Sequence, residues 1–173
     1  RNATTNADMT LYLRVYLKRY DPPAGTTTFP DADGTQVPVR AWTDLEWTRF
    51  TGRYARETTQ FWNGKFWLRT PDSFSRLDWP SNNPTHRCNV YCKFLMEVVK
   101  TVEGAHAVIP VVRVNGRHQF RSHALLYSNR DILAEQFPGV RSKFFTHLHE
   151  VGHLLGLQHP GVASGDAACA ADG

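Results

Sequence analysis

Strict alternation of apolar and polar positions is first met at residues 10–18, where Leu11, Leu13, Val15 and Leu17 fall on one side at period two. A strand with one buried face has that period, so these residues are expected to form the first strand. Residues 21–37 crowd Pro, Gly, Thr and Asp together, Asp33-Gly34 included, and carry no apolar period; a surface loop is expected. The period changes after Thr43. Thr43-Asp44-Leu45-Glu46 has the form of a capping box, and Leu45, Phe50, Tyr54, Thr58, Phe61 and Trp62 recur every three to four residues. That combination predicts a helix, ending at Asn63-Gly64.

Residues 65–69 read as a short strand and residues 71–85, rich in Pro, Ser and Asn, as an exposed loop. Strand character returns over 90–102 and 107–114, joined through Glu103-Gly104-Ala105-His106. Asn115-Gly116 is a strong hairpin signal and predicts a third adjacent strand over 118–127. Val108-Ile109-Pro110-Val111-Val112 is apolar without alternation, as a strand covered on both faces would be, yet Pro110 lacks an N–H and asks for an edge or a bulge. A helical turn is expected over 131–137 and a second long helix over 140–155. There is no internal repeat or low-complexity tract.

A chain of 173 residues suits one domain, and its 41% hydrophobic and 21% charged content is that of a globular protein. No apolar run approaches the roughly 18 residues a membrane span needs. The net charge of +4 comes from scattered Lys and Arg, so a nucleic-acid partner is not expected. Residues 1–6 are polar and lack the apolar core of a secretory signal, as in a processed chain or one trimmed of its leader. Of three cysteines, Cys88 and Cys92 could bridge only across a turn, since four residues of strand separate their Cα atoms by about 13 Å. With His86 nearby they also raise a second metal site, against the plainer reading of two thiols or one local bridge. An odd number leaves one cysteine, Cys88, Cys92 or Cys169, unpaired unless a partner lies outside the chain. The tryptophans near the first helix, Trp42, Trp47 and Trp62, fit core packing better than carbohydrate binding.

The candidate chemistry lies in residues 149–159. On a helix His149 and His153 are about 400° apart with about 6 Å of rise, so both imidazoles leave one face and can take two corners of a zinc tetrahedron. Phe144, Leu148, Val151 and Leu155 fall on a separate apolar stripe. A continuing helix would turn His159 about 240° away from His153, so it must break first. Gly156 is placed to end it, which brings His159 back as third ligand, and Pro160 bars continuation. Three imidazoles leave a fourth zinc position to water, a catalytic arrangement, and Glu150 beside the first ligand is placed as general base. By this chain's own frequencies the short His-Glu-x-x-His pattern arises by chance roughly one time in a hundred, and the extended one about four times in 100,000. His147 projects roughly 160° from His149 and is not expected as a ligand. His86, His106, His118 and His123 have no partner spacing.

The run His149-Glu150-Val151-Gly152-His153-Leu154-Leu155-Gly156-Leu157-Gln158-His159-Pro160-Gly161 resembles the zinc signature of the metzincin clan of endopeptidases, most closely that of serralysins, with matrixins close behind. The match covers about thirteen residues. The resemblance implies an α+β, zincin-like fold: a twisted mixed sheet packed on two long helices, one of them the active-site helix. It further implies a bound Zn2+, a protein or peptide substrate, a secreted or extracellular location, and an edge strand along the cleft, for which residues 118–127 are the candidate. The chain departs from the clan in its methionines. Met9 and Met96 both precede the motif, so the methionine turn that follows the third histidine in metzincins is not met, nor is a tyrosine after His159. Residues 1–173 are therefore expected to form a single metzincin-like catalytic domain lacking most of its C-terminal subdomain. No glycine-rich calcium repeat is present, and calcium is not expected.

Two other readings compete with hydrolysis: a zinc-containing binding or inhibitory module without turnover, and a basic, aromatic-rich domain that takes polysaccharide or nucleic acid around a structural zinc. Neither gives Glu150 a role.

Overall fold

A computed structural model describes residues 7–69, 88–135 and 144–158. The strand expected at 10–18 is β1 (Ala7–Arg19), and it is the central strand of a five-stranded sheet. Its neighbour β5 (Cys88–Val98) runs parallel to it from Ala7 to Val15, and β6 (Ala107–Val112) runs parallel on the other side from Val15 to Arg19. The two flanking strands are thus staggered along β1 and overlap only at Val15. β4 (Phe66–Arg69) adds antiparallel to β5, and β7 (Tyr127–Ser128) adds parallel to β6. The sheet is mixed, with order β4-β5-β1-β6-β7.

Register explains the core. Leu11, Leu13 and Leu17 stand beside Phe94, Met96 and Ile109, so period-two positions of three strands share one face. Helix α1 (Asp44–Trp62) covers that face through Phe50, Tyr54 and Thr58. Both arms of its capping box are made, Thr43 Oγ1 accepting from the Glu46 N–H and the Glu46 carboxylate from the Thr43 N–H. Gly64, at φ 74°, ends the helix, and a side chain there would lie 2.8 Å from the Tyr91 hydroxyl. Where β4 stops covering the edge of β5, the helix takes over: Asn63 Oδ1 and Thr59 Oγ1 accept the N–H groups of Phe94 and Met96. Trp42 is buried, and Trp47 and Trp62 pack against the same core, as expected of core aromatics.

The opposite face is open over β1 and β5, where Tyr12 and Leu95 are exposed, but closed at the β6 end. There Val112 and Val114 pack with Val37 and Val39 in a second cluster. The covering piece is a small hairpin of β2 (Thr28–Pro30) and β3 (Gln36–Pro38), within the stretch expected to be loop. The expected coverage on both faces is met only at the Val111–Val112 end of β6; Val108, at its start, is exposed. Pro110 fits for a different reason. The Val111 carbonyl accepts from Tyr20, on the β1 side, and the Val112 carbonyl from Asn129, on the β7 side. Alternation points the Pro110 nitrogen toward the β7 side, where pairing begins only at Val111, so no ladder bond is lost.

Two further expectations are corrected. Residues 118–127 form no strand before Tyr127, although Gly116 does turn at φ 66°; the chain makes an excursion and returns parallel to β6 instead of antiparallel. The candidate for a substrate-pairing edge strand is therefore lost. The second helix is not long: α2 spans Thr146–Leu154, nine residues, because Phe144 pairs with Glu135 in a β-bridge and Phe145 is extended at φ −128°. Cys88 and Cys92 both lie in β5, and Cys92 is a buried free thiol, in line with the plainer reading of two thiols. The segment expected as a helical turn over 131–137 is turn from Asp131 to Leu133, with residues 136–143 outside those described. The loop expected over 71–85 lies outside as well, as do His86 and Cys169. No described helix is long and apolar enough to cross a membrane.

Candidate metal centre

Helix α2 enters without a side-chain cap. Its first-turn N–H groups find other acceptors: Leu148 and His149 donate to the Phe145 carbonyl, and His147 donates to the carbonyl of Asp131 at 3.2 Å. At its end Gly156 is left-handed at φ 81°, its N–H meets the His153 carbonyl, and the Leu157 N–H reaches back to the Gly152 carbonyl. Those two bonds form a Schellman turn, the break that the spacing of the third histidine requires.

The same turn orients His153. The Leu157 carbonyl lies 2.9 Å from His153 Nδ1. A carbonyl can only accept, so Nδ1 carries the proton and, in the neutral ring, Nε2 carries the lone pair. That Nε2 is 3.1 Å from Nε2 of His149, with the two rings nearly perpendicular at 88°. Two nitrogens bound to one tetrahedral zinc at 2.0–2.1 Å stand about 3.3 Å apart, so this pair fits a shared ion with almost no movement. His159, the expected third ligand, lies outside the described residues. Among the described residues no group of three or more His, Cys, Asp and Glu side chains could hold a metal.

Glu150 is 8% exposed. Burial raises its pKa above the ordinary glutamate value, and nearby His153 pulls the other way. His149 lines two spaces at once. On one side it shares an apolar cavity of about 330 Å³ with His153, Phe61, Trp62, Phe145 and Leu157. On the other it shares with Glu150 a wider polar cleft of about 990 Å³, whose far wall includes Asp31, Arg121 and Arg130. A chain laid across His149 would thus have an apolar and a polar side.

Trp62, expected only as core, crosses α2 directly: its indole N–H donates to the Leu148 carbonyl at 3.2 Å, and its ring lies over Gly152. A β-carbon at Gly152 would sit 3.3 Å from the ring, so a small residue between the two histidines sets how closely the helices pack. His147, not expected as a ligand, is fully buried on the far side of α2. Its Nδ1 lies 2.8 Å from the Asp131 carbonyl and its Nε2 3.8 Å from Glu57 Oε2. Burial holds its pKa below the usual histidine value, opposed by the Asp131 contact and Glu57. The Asp131 carboxyl is buried too, which pushes its pKa up to about 7 against the pull of hydrogen bonds including those from the Ser128 N–H and hydroxyl.

Sequence reasoning put the His149 and His153 imidazoles on one face of α2, where their Nε2 atoms meet. It missed Leu157, Trp62 and Asp131, two of which act through backbone carbonyls that no residue type advertises. Comparison with protein-family models, with curated proteins and with solved structures gave no match, so the resemblance rests on the motif.

Proposed function

We propose that this chain is a zinc-dependent endopeptidase of the metzincin kind, hydrolysing peptide bonds in a protein or peptide substrate. The observation that carries the reading is the 3.1 Å approach of the His149 and His153 Nε2 atoms, with the His153 tautomer set by Leu157. His149 and His153, with His159, would hold the metal. Zinc bound there supplies Lewis acidity, polarising the scissile carbonyl and acidifying water. Glu150 accepts the proton of the attacking water on a carboxylate oxygen and delivers it to the amine nitrogen as the C–N bond breaks. The apolar cavity and the polar cleft on either side of His149 give an extended substrate room to lie across the site.

The test is metal analysis of the whole chain, together with hydrolysis of an unstructured protein substrate. One zinc per chain, chelator-sensitive cleavage, and a Glu150→Gln variant that keeps its zinc but loses at least about 100-fold in kcat are expected. Absence of zinc, or full activity in the variant, would sink the reading. Zinc bound tightly without cleavage of any peptide would favour the non-catalytic binding module.

A further inference from the structure

We infer that His147 is the positioning residue of the metal site: through the Asp131 carbonyl it fixes the rotation of α2 about its axis, and so where His149 and His153 point. The inference rests on the zinc reading above.

One carbonyl oxygen, that of Asp131, lies within reach of two groups of the same residue, the His147 N–H at 3.2 Å and Nδ1 at 2.8 Å. As at His153, the acceptor is a carbonyl, so Nδ1 must donate. A single backbone donor leaves a helix free to pivot; a backbone and a side-chain donor on one acceptor remove that freedom. The acceptor is itself held, because the Asp131 carboxyl takes the Ser128 N–H at 3.0 Å and the Ser128 hydroxyl at 2.9 Å, and Ser128 belongs to β7. The ring is wedged between Tyr54 and Phe145, with centroids at 5.6 and 6.1 Å, and its Nε2 faces Glu57, which Arg53 holds on α1. His147 therefore bonds α2 to the sheet edge through Asp131 and packs against α1 through Tyr54, from the side opposite His149 and His153.

The lever is steep. A turn of about 20° around the helix axis carries an imidazole nitrogen about 2 Å, whereas ligand distances tolerate about 0.2 Å. α2 has no side-chain N-cap, and the other polar contacts near its start, Trp62 to the Leu148 carbonyl and the Phe144–Glu135 bridge, involve neither His149 nor His153.

The experiment measures zinc affinity by competition with a chromophoric chelator, and the absorption spectrum of the Co2+ form, on the whole chain and three variants. His147→Asn keeps a donor near the Nδ1 position. His147→Gln moves the donor out to the Nε2 position, and His147→Leu removes it while filling the space. Wild type and Asn are expected to bind zinc within a few-fold of each other with the same Co2+ spectrum. Gln and Leu, at matched far-UV circular dichroism, are expected to lose about 10- to 100-fold, as when a group orienting a metal ligand is removed. Should Leu fail to fold, the contrast between Asn and Gln decides. Equal affinity and spectra for Asn and Gln would overturn the inference and leave the zinc reading intact. No zinc binding by the wild type would overturn both.

Discussion

His153 and Leu157 are joined through the turn that ends α2: the imidazole Nδ1–H is held by a carbonyl that reaches it only because Gly156 between them is left-handed. The helix stop and the orientation of the His153 ring are one feature. Gly156→Ala should therefore cost about 1 kcal/mol in urea unfolding. It should also weaken zinc binding by more than that stability loss explains, which chelator competition at a denaturant-free midpoint temperature would reveal.

Trp62 and Gly152 form a second coupled pair. Alanine at 152 has a higher helix propensity by about 1 kcal/mol but presses on the indole at 3.3 Å. Gly152→Ala is expected to destabilise the wild type and to stabilise a Trp62→Ala background. A double-mutant cycle by chemical denaturation checks the change of sign, and equal effects in both backgrounds would refute it.

Glu46 links the start of α1 to the sheet. Besides closing the capping box it meets Arg113 at 2.8 Å and Arg40 at 2.5 Å, and these two, Arg113 foremost, hold its pKa well below the usual glutamate range. A depressed carboxylate contributes stability above its unfolded pKa and loses it as pH falls toward the folded one. Glu46→Gln keeps the box but not the ion pairs, so it should melt below the wild type at pH 7, and the gap should narrow as pH drops below about 4.5. A pH-independent gap would refute the assignment.

Asp131 gives the opposite slope. With its folded pKa raised to about 7 by burial, the native state retains a proton that the unfolded chain releases near 3.8. Stability should therefore fall as pH rises from about 4 through 7. Asp131→Asn, which has no proton to lose, should flatten that part of the curve in thermal melts across the range. An unchanged slope would mean that the carboxyl is ionised in the folded protein.

What the sequence made legible follows from how local each signal was. β1 and α1 were readable because alternation at Leu11 to Leu17 and the Thr43 capping box are properties of consecutive residues. The approach of His149 to His153 was readable for the same reason, being set by a four-residue spacing. The hairpin of β2 and β3 was not, because three-residue strands are too short to show a period and are held by Val37 and Val39 against Val112, far along the chain. Asn115-Gly116 misled because a turn signal fixes local backbone, which Gly116 obeys, but not the direction in which the chain returns. The start of α2 was placed too early because Phe144 is as suited to a helix face as to the bridge it makes with Glu135. His147 could be excluded as a ligand from its angle, yet its tie to Asp131 depends on a carbonyl sixteen residues away.

The stagger of β5 and β6 along β1 also sets an order of events in synthesis. The first strand made is the one that ends at the centre, and its partners lie some eighty to ninety residues later in the chain. As the polypeptide leaves the ribosome, β1 must wait unpaired until β5 emerges, and its last turn toward Arg19 must wait for β6. Both edges of β1 stay unpaired through that interval, and pairings this distant along the chain are slow to close.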